Sequence, residues 1–401
     1  MKLFKTRIAS PLVKVLASAL VAAPVTAADD PQISGRIGYE ARVFADDGIH
    51  AGQSGTGNSS LLVEPELYWQ WNNGDDMLVF KTFLRWDEHD SQRSHGDIRE
   101  LIWTHVADGW ELTAGIGKVF WGVTEFQHLA DVINQTDAVE DSDGEDKLGQ
   151  QMISLSLVRD WGIVDLYLLP GFRERTFSGS DGRLRGPLVV DTDNVRYESS
   201  AGDKHLDAAV RWSHSLGDYD LGLHGFHGTN RDPVLTRQGN VLVPLYEQMD
   251  QLGIDVQATL GDWLWKFESI YRDSSSDSFT AAQGGFEYTL VGIMDSAMDL
   301  GLLLEYGWDS RGEDGTTGVQ DDLFLGSRLT LNDMQSTELL AGIGQDLDHG
   351  GYSVLVEASR RLGNSWKLSL DARVFDSDDS LDPLFAIRED DLVQLTLERY
   401  F

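Results

Sequence analysis

The chain has 401 residues with 41 glycines, 9 prolines, no cysteine and a formal net charge of −34. A polyanion of this strength is repelled by nucleic acid, and without cysteine there are neither disulfides nor thiolate metal sites. Beyond the N-terminus no apolar stretch is long enough to cross a bilayer as a helix, which excludes a helical inner-membrane protein.

The first 28 residues read as a secretory signal peptide. Lys2, Lys5, Arg7 and Lys14 make a basic start, Val15–Pro24 an apolar stretch, and Val25-Thr-Ala-Ala28 a small-residue site cleaved after Ala27 or Ala28. The alternative is an anchor helix, but the apolar run is short and an acidic segment follows at once. Residues 29–401 then form one domain. Its first strand begins close behind the cleavage site, so no N-terminal plug or hatch is expected.

From there the hydrophobic period is two nearly throughout, in segments of about ten residues. In Trp366–Val374 one face carries Trp366, Leu368, Leu370, Ala372 and Val374, and the other Lys367, Ser369, Asp371 and Arg373. Leu78–Trp86, Trp263–Tyr271 and Met298–Trp308 repeat the scheme, with aromatics gathered at the ends of the apolar faces. An apolar face capped by aromatics suits lipid, and the polar face then points into a wet lumen. The pattern predicts strands over 33–44, 60–71, 76–87, 97–106, 110–118, 150–158, 162–172, 206–215 and 218–228. The second half predicts 250–260, 262–271, 280–291, 297–307, 322–331, 336–345, 351–361, 366–374 and 390–401. Short turns such as Asn72-Asn-Gly-Asp75 and Gly363-Asn-Ser365 alternate with longer acidic connections such as 119–149, 173–205 and 229–249. The predicted fold class is all-β, a transmembrane antiparallel up-and-down β-barrel of about 18 strands, or 16 if one hairpin is misread.

The last segment, Val393-Gln-Leu-Thr-Leu-Glu-Arg-Tyr-Phe401, alternates back from a terminal aromatic residue. It resembles the C-terminal signature that outer-membrane proteins present to their assembly machinery, except that Arg399 stands where an apolar residue is expected. The whole mature chain resembles the porin-like outer-membrane barrels of Gram-negative bacteria. The stretch Gly117-Lys-Val-Phe-Trp-Gly-Val-Thr-Glu125, leading to Ala130-Asp-Val-Ile-Asn134 and Asp137, is similar to a G-K/R-x-x-W-G … A-D-x-x-N-x-x-D run in several of them. Gln135 stands where those families commonly have Pro. The resemblance implies an outer-membrane location among lipid and lipopolysaccharide, and it implies no particular substrate.

The longest connection, 119–149, is expected to fold inward and narrow the lumen, because an eighteen-stranded barrel is otherwise wide. It is acidic, and the next outer loop opens with arginines. The pore-constriction candidates are Lys118, Glu125, Asp131 and Asp137 on one side, and Arg173, Arg175, Arg183 and Arg185 on the other. Such an arrangement would set a transverse field, unless these are ordinary loop charges pairing with one another. Arginines spaced by two (173/175 and 183/185) would share a strand face and suit anions, whereas the net charge points to cations. The acidic runs 141–146, 191–193 and 376–379 offer oxygen ligands to loop Ca²⁺ without an EF-hand register. No zinc spacing occurs; His224 and His227 fall on opposite strand faces. No G-x-S-x-G is present and no enzyme is expected. The function expected is passive diffusion of small hydrophilic solutes. The alternative is a closed barrel whose acidic outer loops bind a partner, a polysaccharide or lipopolysaccharide-bound cations. Large apolar residues clustered on the inward phase, such as Phe83, Leu264 and Leu303, would favour it. Monomer and trimer both fit a chain of this size.

Overall fold

The computed structural model describes residues 30–141, 143–312 and 320–401; the signal peptide assigned to 1–28 lies outside the described residues. The strands are β1 (Gln32–Phe44), β2 (Gly57–Trp71), β3 (Asp76–Asp87), β4 (Gly96–Ala107), β5 (Trp110–Gly117), β6 (Gln150–Arg159), β7 (Gly162–Pro170), β8 (Val189–Val190), β9 (Arg196–Tyr197), β10 (Leu206–Leu216) and β11 (Tyr219–Thr229). They continue as β12 (Val234–Gln238), β13 (Val241–Tyr246), β14 (Gln248–Leu260), β15 (Trp263–Ser274), β16 (Ser278–Leu290), β17 (Asp299–Asp309), β18 (Asp321–Thr330), β19 (Glu338–Asp346), β20 (Tyr352–Leu362), β21 (Trp366–Asp376) and β22 (Leu392–Tyr400). Eighteen of them form one closed antiparallel barrel: β1–β7, β10, β11 and β14–β22. Each of the eighteen predicted segments falls on one of these strands, so the count of sixteen is not realised.

The barrel closes where β22 returns to β1 in antiparallel register. Gly35 and Phe401 exchange both backbone hydrogen bonds at 3.1 Å. A Cβ on Gly35 would come 2.6 Å from the Glu64 carbonyl oxygen and 2.9 Å from the Phe401 ring, so the seam needs glycine there. Arg399, the departure noted in the last strand, reaches over the Trp366 ring at 5.7 Å. Its stem stays on the outer face and its charge at the rim, which is how a cation is tolerated beside lipid.

No helix among the described residues is long and apolar enough to cross a membrane; the apolar surface belongs to strands. On β15 the outward residues Trp263, Trp265, Phe267 and Tyr271 are all exposed, and the inward Lys266, Glu268 and Ile270 all covered. Trp263 and Tyr271 are eight residues apart, about 27 Å along the strand, or about 20 Å along the normal at a tilt near 40°. That height suits the apolar band of an outer membrane. Around the barrel the strands pair with their neighbours in antiparallel ladders, as lipid requires of an outward face.

Two features depart from the sequence pattern. The long connections 173–205 and 229–249 carry β8, β9, β12 and β13, strands the sequence pattern does not assign, which form a separate four-stranded sheet outside the barrel. And β3–β4 shifts register between Lys81 and Thr82, so that Arg99 bulges on β4. Both Arg99 and Glu100 thereby leave the outward face, which simple alternation does not allow.

The outward and inward phases make opposite demands. Leu395→Arg, on the exposed face of β22, is expected to cost about 2–4 kcal/mol in lipid vesicles, whereas Thr396→Arg on the lumen side costs under about 1 kcal/mol. Guanidinium unfolding of the two variants in vesicles measures the difference, and equal costs would sink the assignment of faces.

Candidate functional site

The connection 118–149 folds into the barrel and is its most enclosed segment. Ala130, Ile133 and Asp137 are fully buried, and Trp121, Val132, Asn134 and Gln135 nearly so. Asn134 ties the two ends of the loop together. Its Oδ1 accepts from the Val119 amide at 2.8 Å, and its Nδ2 donates to the carbonyls of Gly117 at 2.9 Å and Leu148 at 2.8 Å. Trp121, Ala130, Val132 and Ile133 pack into one apolar cluster with Met152, Leu169, Phe226 and Met249 of the wall.

Charged wall residues capture the loop backbone from two directions. Glu268 on β15 accepts from the amides of Val123 (2.6 Å), Thr124 (2.9 Å) and Ala130 (2.9 Å), and from Thr124 Oγ1 at 2.7 Å. Glu305 on β17 accepts from the amides of Glu125 (2.8 Å) and Phe126 (3.2 Å). From the opposite wall Arg85 pairs with Glu140 at 2.6 Å and Glu40 at 3.0 Å. Arg99 pairs with Asp137 at 2.6 Å, while Arg42 and Arg93 donate to the carbonyls of Glu140 and Val139, each at 2.9 Å. Burying so many charges is tolerable only because each meets an opposite charge or a chain of hydrogen bonds. Burial alone would raise the Asp137 carboxyl; His95 and Arg99 hold it well below the usual range.

The candidates separate into groups. Glu125 stands inside the lumen between Lys266, at 3.2 Å, and Arg328. Asp131 is enclosed beside Lys147 at 3.1 Å. Asp137 sits among His95, Arg99 and Thr176. Lys118 is exposed just past β5 and is not brought to this cluster. The arginines do not form the expected ladder: 173–175 and 183–185 are not strand, so a spacing of two does not put them on one face. Arg173 pairs with Asp97 at 2.7 Å, Arg175 with Asp232 at 3.3 Å and Arg183 with Asp390 at 2.6 Å. Arg185 donates to the carbonyls of Ala51 and Ser180. Arg173, Arg175 and Arg183 each pair with a carboxylate outside 119–149, and Arg173 also donates to the Gly149 carbonyl at 3.0 Å, so the expected facing of the acidic and basic loops is not what holds these arginines.

Sequence reasoning missed Glu268, Glu305, Arg85, Arg99 and Arg231, the last of which donates to the Ile133 carbonyl at 2.9 Å. For Glu268, Glu305 and Arg85 the available signal was a charge at mid-strand on the inward phase, whereas Arg231 lies beyond the end of β11; the partners in a distant loop were not readable.

Among the described residues one set of three ligand atoms lies close enough to share an ion, that of His95, Asp137 and Glu140 within 4.8 Å. Arg85 and Arg99 already occupy those carboxylates, so the group is an ion-pair network and unsuited to a metal. Among the described residues none of the three acidic runs assembles such a set. Between the loop and the wall of β18–β21 there remains an open cavity of about 450 Å³, lined by Glu125, Asp143, Glu357 and Arg373 among others. Asp143 borders this space, and Asp146 follows three residues later in the same loop. Withdrawal from bulk water and the nearby Asp141 push Asp143 up to about 7, and withdrawal with Glu140 pushes Asp146 up to about 6.

No family model matches the chain, and no curated protein matches it in sequence. Solved structures do match its fold. OccK3 (OpdO) of Pseudomonas aeruginosa is 9% identical, with 93% of this chain and 96% of that chain covered and a TM-score of 0.53. OpdQ of the same organism is 12% identical, with 92% and 96% covered and a TM-score of 0.52. OccAB3 of Acinetobacter baumannii is 12% identical, with 92% and 98% covered and a TM-score of 0.52. At these identities the likeness is one of fold: this chain shares the antiparallel barrel of those structures.

Glu268→Ala removes the acceptor of four loop donors at once and is expected to destabilise the protein by about 2–4 kcal/mol. Limited proteolysis of the folded variant checks it: cleavage within 119–149 should become at least several-fold faster than in the wild type.

Proposed function

We propose that this protein is an outer-membrane channel for passive diffusion of small hydrophilic, charged solutes, and that it is not an enzyme. One observation carries the reading: a closed barrel with a polar inner wall holds an inward loop that narrows the lumen and leaves a charged, water-accessible cavity beside it. A barrel wall supplies no driving force, so passage follows the concentration gradient, and charged lining residues discriminate among solutes. The fold shared with outer-membrane porins supports the same reading. In it the signal peptide directs export, the strand ending at Phe401 is presented to the assembly machinery, and lipid with lipopolysaccharide surrounds the outer face.

Phe83 and Leu303 do point inward and are buried. Together with the apolar cluster under the loop, they favour the second reading, a closed barrel working through its outer loops, over part of the lumen. The cavity beside β18–β21 favours the channel.

Single-channel recording of refolded protein in planar bilayers decides between them. Stepwise conductance is expected; silence from well-folded, heat-modifiable protein would transfer the function to the outer loops. The acidic loop also predicts a pH dependence. Asp143 and Asp146, with carboxyls at about 7 and about 6, carry charge above those values and lose it below them. Lowering the pH from about 8 to about 5 should therefore reduce the cation-to-anion permeability ratio, read from the reversal potential in a salt gradient.

A further inference from the structure

The inward-facing wall is divided into two sectors. From β6 to β15 the residues at mid-height lie under the loop: Met152, Leu169, Phe226, Gln251, Glu268 and Ile270 are each at most 3% exposed. On β18–β21 the side chains of Arg328 and Glu357 face open space, 38% and 42% exposed, while Phe324 and Arg373 on the same wall are covered. The arginine-rich wall of β1, β3 and β4 belongs to the sealed part. Arg42, Arg85 and Arg99 side chains are 8%, 5% and 3% exposed, each against a carboxylate, and Arg93 beside them is 4% exposed.

We infer that solutes cross the barrel along β18–β21, and that the carboxylates of this sector give the passage a preference for small cations. The inference rests on the channel reading above and adds the route and the sign of the charge. Six carboxylates and three cationic side chains line the cavity. Two of the three cations are already paired: Arg373 lies within 3.1 Å of Asp143, Glu357 and Asp371, and Arg328 pairs with Glu125. Glu338 remains exposed on the same wall. A narrow polar passage between low-dielectric walls concentrates that excess, attracting cations and turning anions away. The buried guanidiniums, each matched and walled off from water, contribute little to the field a solute meets.

The inner edge of the passage is held in place. The Phe126 ring stacks on Phe324 with centroids 5.0 Å apart and planes 15° apart. It occupies a slot beside Gly326 and Gly342, where a Cβ on either would approach the ring to 3.1 Å. With Glu305 on its backbone, this segment presents Glu125 between Lys266 and Arg328 at the rim of the cavity.

The absence of cysteine makes the route testable with single thiols. Ser369→Cys on β21 faces the cavity, and Ser154→Cys on β6 sits behind the loop. After insertion into planar bilayers, a cationic methanethiosulfonate reagent is added to both chambers. The expected result is a fall of about two-fold or more in the conductance of Ser369→Cys, with Ser154→Cys and wild type unchanged. Ser359→Cys on β20 gives the same readout if Ser369→Cys folds poorly. Block through position 154 with positions 359 and 369 insensitive would overturn the route. The charge is tested separately: Glu338→Gln with Glu357→Gln should lower the potassium-to-chloride permeability ratio about two-fold, and an unchanged ratio would overturn the preference. A wild-type barrel that does not conduct removes the channel reading and this inference together. A conducting barrel that fails the thiol test removes this inference alone.

Discussion

The rest of the structure depends on the capture of one loop backbone by charges on the barrel wall. An eighteen-stranded barrel encloses more space than its own side chains can fill. Residues 118–149 fill part of it, and their amides and carbonyls would be left unpaired far from bulk water. Glu268 and Glu305 accept from one flank of the segment, and Arg42, Arg93, Arg99 and Arg231 donate to the carbonyls of the other. These wall charges are buried by the loop they bind, so neither side is satisfied without the other. Loop position and wall charge therefore form a single cooperative arrangement.

The same geometry explains why the loop crosses the lumen off-centre. Its apolar residues, Trp121, Val132 and Ile133, have matching apolar neighbours on β6, β7, β11 and β14, and these are drawn together. Its acidic end, Asp137 to Glu140, is drawn to the arginines of β1, β3 and β4. Toward β18 and β19 the loop sends Phe126, whose ring fits beside Gly326 and Gly342, and Glu125. Its remaining flank meets β21 through Asp143 on Arg373, and the cavity lies beside that pair.

The strands were legible because lipid outside and water inside impose a period of two on each of them. Trp366–Val374 illustrates this: every second residue is outward, and the same alternation holds on β15 and β17. The inward fold of 119–149 was legible from its length and place, and Asn134 and Asp137, noticed as part of a motif, prove to be its internal tie and its anchor. Partners were not legible, because a lone Glu268 or Arg85 on a strand says only that it faces the lumen. The arginine pairs misled for a specific reason. A spacing of two places side chains together only in a strand, and around Arg183 and Arg185 the chain turns through Leu184 at φ 56°. The bulge at Arg99 was hidden similarly, since it depends on the register of β3 and not on the residues of β4 alone.

The charge imbalance of the chain, 66 acidic residues against 32 Lys and Arg, acquires a meaning from where its cations are used. Arg42, Arg85, Arg93, Arg99, Arg183 and Arg231 are all buried in pairs or on carbonyls, where a guanidinium can satisfy several acceptors at once. Cations spent on holding the loop and the outer connections cannot offset carboxylates elsewhere. What remains in contact with water inside the barrel is then more acidic than the inner wall as a whole. The sign of the field in the open sector thus follows from the requirements of packing in the closed one: arginine is the residue that can pin a buried backbone, and using it there leaves the carboxylates to face the solute.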